Sequence, residues 1–128
     1  MSQQGLRLLE QISQQEPVTA LGTYAEAALA QGRHELAAEY YLLARSQTTE
    51  RDLARHYFQR GIASLMAASL FPQAMAAAER SLGDLQDDPE TLRFLMRMAL
   101  AAGEPHRAAG YAERLVFPEP SAAAGRAP

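Results

Sequence analysis

The chain contains no cysteine and no lysine. Without thiols it can form neither a disulfide nor a thiolate metal site, which leaves cytosol and periplasm equally open. All twelve basic residues are arginines, side chains suited to bidentate pairing with carboxylates, although high-GC codon usage produces the same bias. Aromatic residues are only 7% of the total, and the strand-favouring Val, Ile and Thr are scarce, so no sheet is expected. No stretch approaches the roughly 18 consecutive apolar residues that a membrane span requires. The polar opening Met1-Ser2-Gln3-Gln4-Gly5 is not followed by the apolar core of a signal peptide. A formal charge of −3 excludes a generalised nucleic-acid surface, because phosphate binding draws on concentrated basic residues.

Catalytic and metal constellations are missing as well. His34, His56 and His106 stand alone, none with a second histidine one turn on, and they read as solvent-facing residues. No glycine-rich phosphate loop is present. The acids Asp84, Asp87, Asp88 and Glu90 read as helix caps and first-turn charges rather than cation ligands. No catalytic residue, cofactor or metal is assigned, and the expectation is a protein that is not an enzyme.

What the chain does have is alanine. Apolar residues make up 48% of its 128 residues, and alanine, the best helix former, dominates them. One segment also recurs. Ala101-Ala102-Gly103-Glu104-Pro105-His106-Arg107-Ala108-Ala109 echoes Ala30-Gln31-Gly32-Arg33-His34-Glu35-Leu36-Ala37-Ala38 and Ala68-Ser69-Leu70-Phe71-Pro72-Gln73-Ala74-Met75. In each copy a helical stretch stops at a small residue and a second helix brings in an alanine one turn later. The markers Gly32, Ser69 and Gly103 are spaced by 37 and then 34 residues, as are Ala37, Ala74 and Ala108. A period of about 34 residues built from two helices defines a helix-pair array.

Apolar periodicity and turn residues place the elements. Leu6, Leu9 and Ile12 stripe a leading helix over residues 4–15, closed by Pro17. The first repeat, 18–49, carries Leu21, Ala25 and Ala28 and then Ala37, Tyr41 and Ala44, with Thr48 or Thr49 expected to cap the next helix. The second, 50–87, carries Tyr57, Phe58, Gly61, Ile62 and Leu65 and then Ala74, Met75 and Ala78. The third, 88–117, opens on Asp88-Pro89-Glu90, a cap, a first-turn proline and an early acid. The three extra residues between the first two repeats are expected to lengthen the helices beside the Ser46-Gln47-Thr48-Thr49 turn. Residues 118–128, rich in proline and alanine, read as a flexible tail.

Ala25, Ala37, Tyr41 and Ala44, then Phe58, Leu65, Phe71 and Ala74, then Leu92, Leu95, Gly103, Pro105 and Ala108 resemble the tetratricopeptide repeat family across residues 3–117. Three positions depart from its pattern: Gly61 sits one residue ahead of the place the family keeps small, and Met96 and Leu115 are larger than usual. The resemblance implies an all-α, right-handed superhelix of about seven helices, three full pairs and one leading helix. It further implies a concave groove lined by the first helices, with Thr19, Gly22 and Glu26, then His56, Gln59 and Ala63, then Glu90, Arg93 and Arg97 facing the partner. On the second helices, Glu35 with Glu39 and Glu79 with Arg80 read as a solvated outer side.

The Ala- and Arg-rich wording of residues 101–115 is similar to the periplasmic arrays of bacterial exopolysaccharide exporters of the Pel type. That likeness implies a periplasmic scaffold that docks a polysaccharide deacetylase or hydrolase during polymer export in biofilm formation, without binding nucleic acid. A small cytosolic chaperone for a secreted subunit is the competing expectation. Because Leu6, Leu9 and Ile12 at one end and Leu115, Val116 and Phe117 at the other lack a covering helix in the sequence, a piece of a longer array is expected, able to associate end to end.

Overall fold

The computed structural model describes residues 17–117. The expected leading helix, 4–15, and the tail, 118–128, lie outside the described residues. Six α-helices follow one another, with no strand among the described residues: α1 (Val18–Ala30), α2 (His34–Ser46), α3 (Arg51–Ala67), α4 (Phe71–Ser81), α5 (Pro89–Ala101) and α6 (Pro105–Val116), with a 3₁₀ turn at Gly83–Leu85. The chain divides into two compact units, Met1–Ser81 and Leu82–Pro128.

The echo in the sequence is a repeated hydrogen-bonded device. Gly32, Ser69 and Gly103 have φ of 73°, 60° and 75°, each in the left-handed region. At each of them the amide bonds the carbonyl three residues back, Gly32 to Leu29, Ser69 to Met66 and Gly103 to Leu100, at 2.9 to 3.1 Å. The next amide reaches one residue further, Arg33 to Ala28, Leu70 to Leu65 and Glu104 to Ala99, at 2.9 to 3.0 Å. This double closure is a Schellman motif, which satisfies carbonyls that a helix end leaves orphaned. The residue that completes it also starts the next helix. The carbonyls of Arg33, Leu70 and Glu104 accept from the amides of Ala37, Ala74 and Ala108 at 3.0, 2.8 and 3.1 Å, and those three alanines are buried.

The longer first spacing has a plain origin. α2 and α3 span 13 and 17 residues where α4 and α5 span 11 and 13, while the connection 47–50 is shorter than 82–88. Extra helix, as expected, outweighs the shorter link. The expected threonine cap is not used: the Glu50 carboxylate accepts from the Asp52 and Leu53 amides at 3.0 and 2.7 Å. Thr48 is unavailable because its hydroxyl donates back to the Ala44 carbonyl at 2.7 Å, finishing α2 instead.

In the first unit, Leu21, Ala25 and Ala28 of α1 meet Ala37, Tyr41 and Ala44 of α2 and Tyr57 of α3 in one buried cluster. Alanine on both sides lets helices approach closely, since interaxial distance, about 8 to 10 Å, is set by the side chains at the contact. Gly61 serves α3 and α2 in the same way. A Cβ there would lie 2.8 Å from Leu42 Cγ and Cδ2, so the displaced small residue leaves room for the leucine of the neighbouring helix. Arg45, only 7% exposed, donates from Nε to the carbonyl of Ser81 at 3.2 Å, placing a cation at the negative end of α4.

In the second unit, Asp88 is 2% exposed, and its carboxylate accepts from the amide and the hydroxyl of Thr91 at 3.0 and 2.8 Å. With Pro89 as the first helical residue, α5 begins where its sequence signals place it. Thr91, Leu92, Phe94, Leu95 and Ala99 form its buried side, and Ala108 and Tyr111 that of α6. Arg114 Nη2 donates to the Gln86 carbonyl at 2.6 Å, tying the end of α6 to the approach to α5.

Two residues expected to face solvent do not. Glu39 is half-buried, with Oε2 lacking a hydrogen-bond partner; burial, aided by the like charge of Glu35, pushes its carboxyl pKa up. His34, also half-buried, has its Nδ1 unpartnered. Both lie on α2, where the buried arc set by Ala37, Ala38 and Tyr41 extends past the apolar residues themselves. His56, His106, Glu35, Glu79 and Arg80 are exposed as expected.

Candidate functional site

The nine residues expected to meet a partner lie on the first helices of the three pairs. On α1, Thr19, Gly22 and Glu26 follow at helical spacing, so they share a face. Thr19 and Glu26 are exposed and Gly22 is half-buried. On α3, His56, Gln59 and Ala63 repeat the pattern, with His56 and Ala63 exposed and Gln59 half-buried.

Tyr57 joins these two sets. Its ring lies so close over α1 that a Cβ on Gly22 would stand 3.2 Å from Cε1 and 3.4 Å from the phenol oxygen. The Tyr41 ring packs 6.4 Å away on one side, and the exposed His56 ring lies 5.6 Å away. Burial pushes the Tyr57 phenol pKa up, and the negative charges that Tyr41 and Glu26 can carry push it in the same direction. Glu26 and the tyrosine therefore belong to one electrostatic neighbourhood. The apolar stripe of α3 accounted for Tyr57 in the sequence, and nothing there marked it as the residue that seats against Gly22. The one available signal was the glycine itself, inside a helix that is otherwise rich in alanine and leucine.

Next to this neighbourhood, the Arg60 Cζ sits 5.4 Å from the centroid of the Tyr41 ring, and its Nη2 donates to the Tyr41 hydroxyl at 3.3 Å. That double contact fixes a cation on the first unit.

In the second unit, Glu90, Arg93 and Arg97 are all exposed on α5, on the side opposite Leu92, Leu95 and Ala99. Arg97 Cζ lies 6.0 Å from the ring of Phe94, which is itself 5% exposed. Stacking on a ring held in the core restrains the guanidinium.

Among the described residues no three His, Cys, Asp or Glu side chains gather in a way that could hold a metal ion, and no helix is long and apolar enough to cross a membrane. The chemistry these faces offer is recognition by hydrogen bonds and charge. Compared with protein-family models, with curated proteins and with solved structures, the chain matches none.

Proposed function

We propose that this chain is a protein-interaction scaffold of the tetratricopeptide kind, its helix pairs wound into a right-handed superhelix that presents the first helices to a partner. The reading rests above all on the three Schellman closures at Gly32, Ser69 and Gly103, each launching a helix with a buried alanine. A device repeated in that register makes one helix pair a copy of the next. In an array of this kind each pair would bury its small residues against a neighbour and leave a polar face outward. Such faces hold a partner by many weak polar contacts on rigid elements.

Within that reading, the texture of residues 101–115 supports a periplasmic array that docks a polysaccharide deacetylase or hydrolase and assists exopolysaccharide export. The faces around Gly22, Glu26 and His56 and around Arg93 and Arg97 are the docking residues.

Affinity capture tests this directly. The immobilised chain is exposed to periplasmic extract beside a Glu26→Arg/His56→Glu variant, with helicity of both checked by circular dichroism. The reading expects a polysaccharide-modifying enzyme on the native chain and its loss from a folded variant. Capture of a secreted subunit from cytosol instead supports the chaperone function, and equal capture by the variant removes the α1 and α3 faces from the site.

A further inference from the structure

The exposed side of α5 has a composition that scaffolding alone does not require. Counting 100° per residue, Glu90, Arg93, Arg97 and Leu100 fall within about 80° of one another, and all four are exposed. Leu100 is 59% exposed, a large apolar side chain at the C-terminal end of a charged stripe. Neither Arg93 nor Arg97 has a carboxylate partner among the described residues, in contrast to Arg55 with Asp52 and Arg107 with Glu104, each paired at 3.0 to 3.1 Å. Arg97 is also steadied over Phe94. The stripe thus holds two unneutralised cations about 6 Å apart along the axis, followed about 4.5 Å further on by an apolar side chain.

We infer that this stripe is the docking face for an acidic amphipathic segment of a partner protein, with two carboxylates one helical turn apart and an apolar residue three positions beyond. The inference rests on the proposed scaffold function and adds the chemistry of the partner. Guanidinium groups take carboxylates by paired, charge-assisted hydrogen bonds, which is the recognition that two exposed arginines at one-turn spacing favour, the second of them steadied over a ring. Leu100 gives the segment a direction, since only one orientation places its apolar residue on the leucine. The overall negative charge of the chain repels a polyanion such as nucleic acid, so a short acidic segment with an apolar foot fits the local charge better than a long phosphate backbone does.

The test uses the whole chain and a short fluorescein-labelled helical peptide with glutamates at i and i+4 and leucine at i+7, followed by fluorescence anisotropy. The expected result is saturable binding that weakens by about tenfold in Arg93→Gln/Arg97→Gln, the loss of two partly exposed charge pairs, and severalfold in Leu100→Ser. A lysine-for-glutamate peptide is expected not to bind the native chain and to bind Arg93→Glu/Arg97→Glu. The glutamine variant, which introduces no like charges, keeps the comparison valid if charge reversal disturbs the fold. Equal affinity of native and glutamine variants for the acidic peptide, or equal affinity of the native chain for both peptides, overturns the inference. Binding of single-stranded DNA in preference to the acidic peptide overturns it as well. Enzyme capture in the periplasmic experiment is read separately, so the scaffold function can stand when the acidic-partner inference falls.

Discussion

Replacing Gly103 with alanine adds a methyl group that meets no atom within 4 Å, so the change isolates the backbone. At φ of 75° an L-residue pays about 1 to 2 kcal/mol of steric energy in the left-handed region. Alanine recovers part of this, about 0.4 to 1 kcal/mol, by narrowing the unfolded ensemble. The net expectation is a loss of about 1 kcal/mol, or a fall of about 4 to 8 °C in the melting midpoint of a unit this small. Gly32→Ala, at φ of 73° and equally open, is expected to cost the same. Ser69 supplies the reverse experiment, because it already holds φ of 60° with a side chain, and Ser69→Gly is expected to raise stability by about 1 kcal/mol. Thermal and urea melts followed by far-UV circular dichroism measure all three. If Gly103→Ala is neutral or stabilising, or if Ser69→Gly lowers the midpoint, the closures do not carry the strain assigned to them.

Asp88→Ala removes a buried cap and strands the amide and hydroxyl of Thr91, and urea melts are expected to show a loss of about 1 to 2 kcal/mol, with Asp88→Asn recovering much of it. Arg45→Met keeps the stem but leaves the Ser81 carbonyl without its charged donor, a change expected to cost about 1.5 to 3 kcal/mol in the same assay. Gly61→Ala gains about 1 kcal/mol of helix propensity but drives a methyl into Leu42, so overpacking of about 1 to 3 kcal/mol is expected to prevail. A Leu42→Ala background should relieve the clash, and a double-mutant cycle without coupling would contradict the contact. Glu39 has a folded pKa raised above its unfolded value, so the stability it contributes is present below the unfolded pKa and is lost as pH rises through the folded one. Glu39→Gln is therefore expected to stabilise the chain at neutral pH by more than in acid, and melts across pH that show the opposite trend contradict the assignment.

The readable part of the fold consists of features that act over a few residues. Asp88-Pro89-Glu90 marks a helix start because cap, proline and early acid act within one turn, and Gly32 and Gly103 mark helix ends for the same reason. The unused cap at Thr48 also reflects a local competition, between a forward cap and a bond back to Ala44. For the candidate site, the family resemblance singled out Thr19, Gly22 and Glu26 on one helix and Arg93 and Arg97 on another; all are exposed except Gly22, which is half-covered by Tyr57. The role of Tyr57 was illegible because it arises from an approach between residues 35 positions apart in the chain.

By itself the sequence determined the all-helical character, the repeat register and the helix ends, since alanine content, apolar spacing and turn residues act through hydrogen bonds that close within about six residues. Tertiary structure alone decided which surfaces those helices share. Whether Gly61 has room beside Leu42, Arg45 reaches the Ser81 carbonyl, Tyr57 roofs Gly22, or Glu39 loses its water depends on how closely packed helices approach one another. That distance is set by side chains from several elements at once, and no local pattern in the chain encodes it.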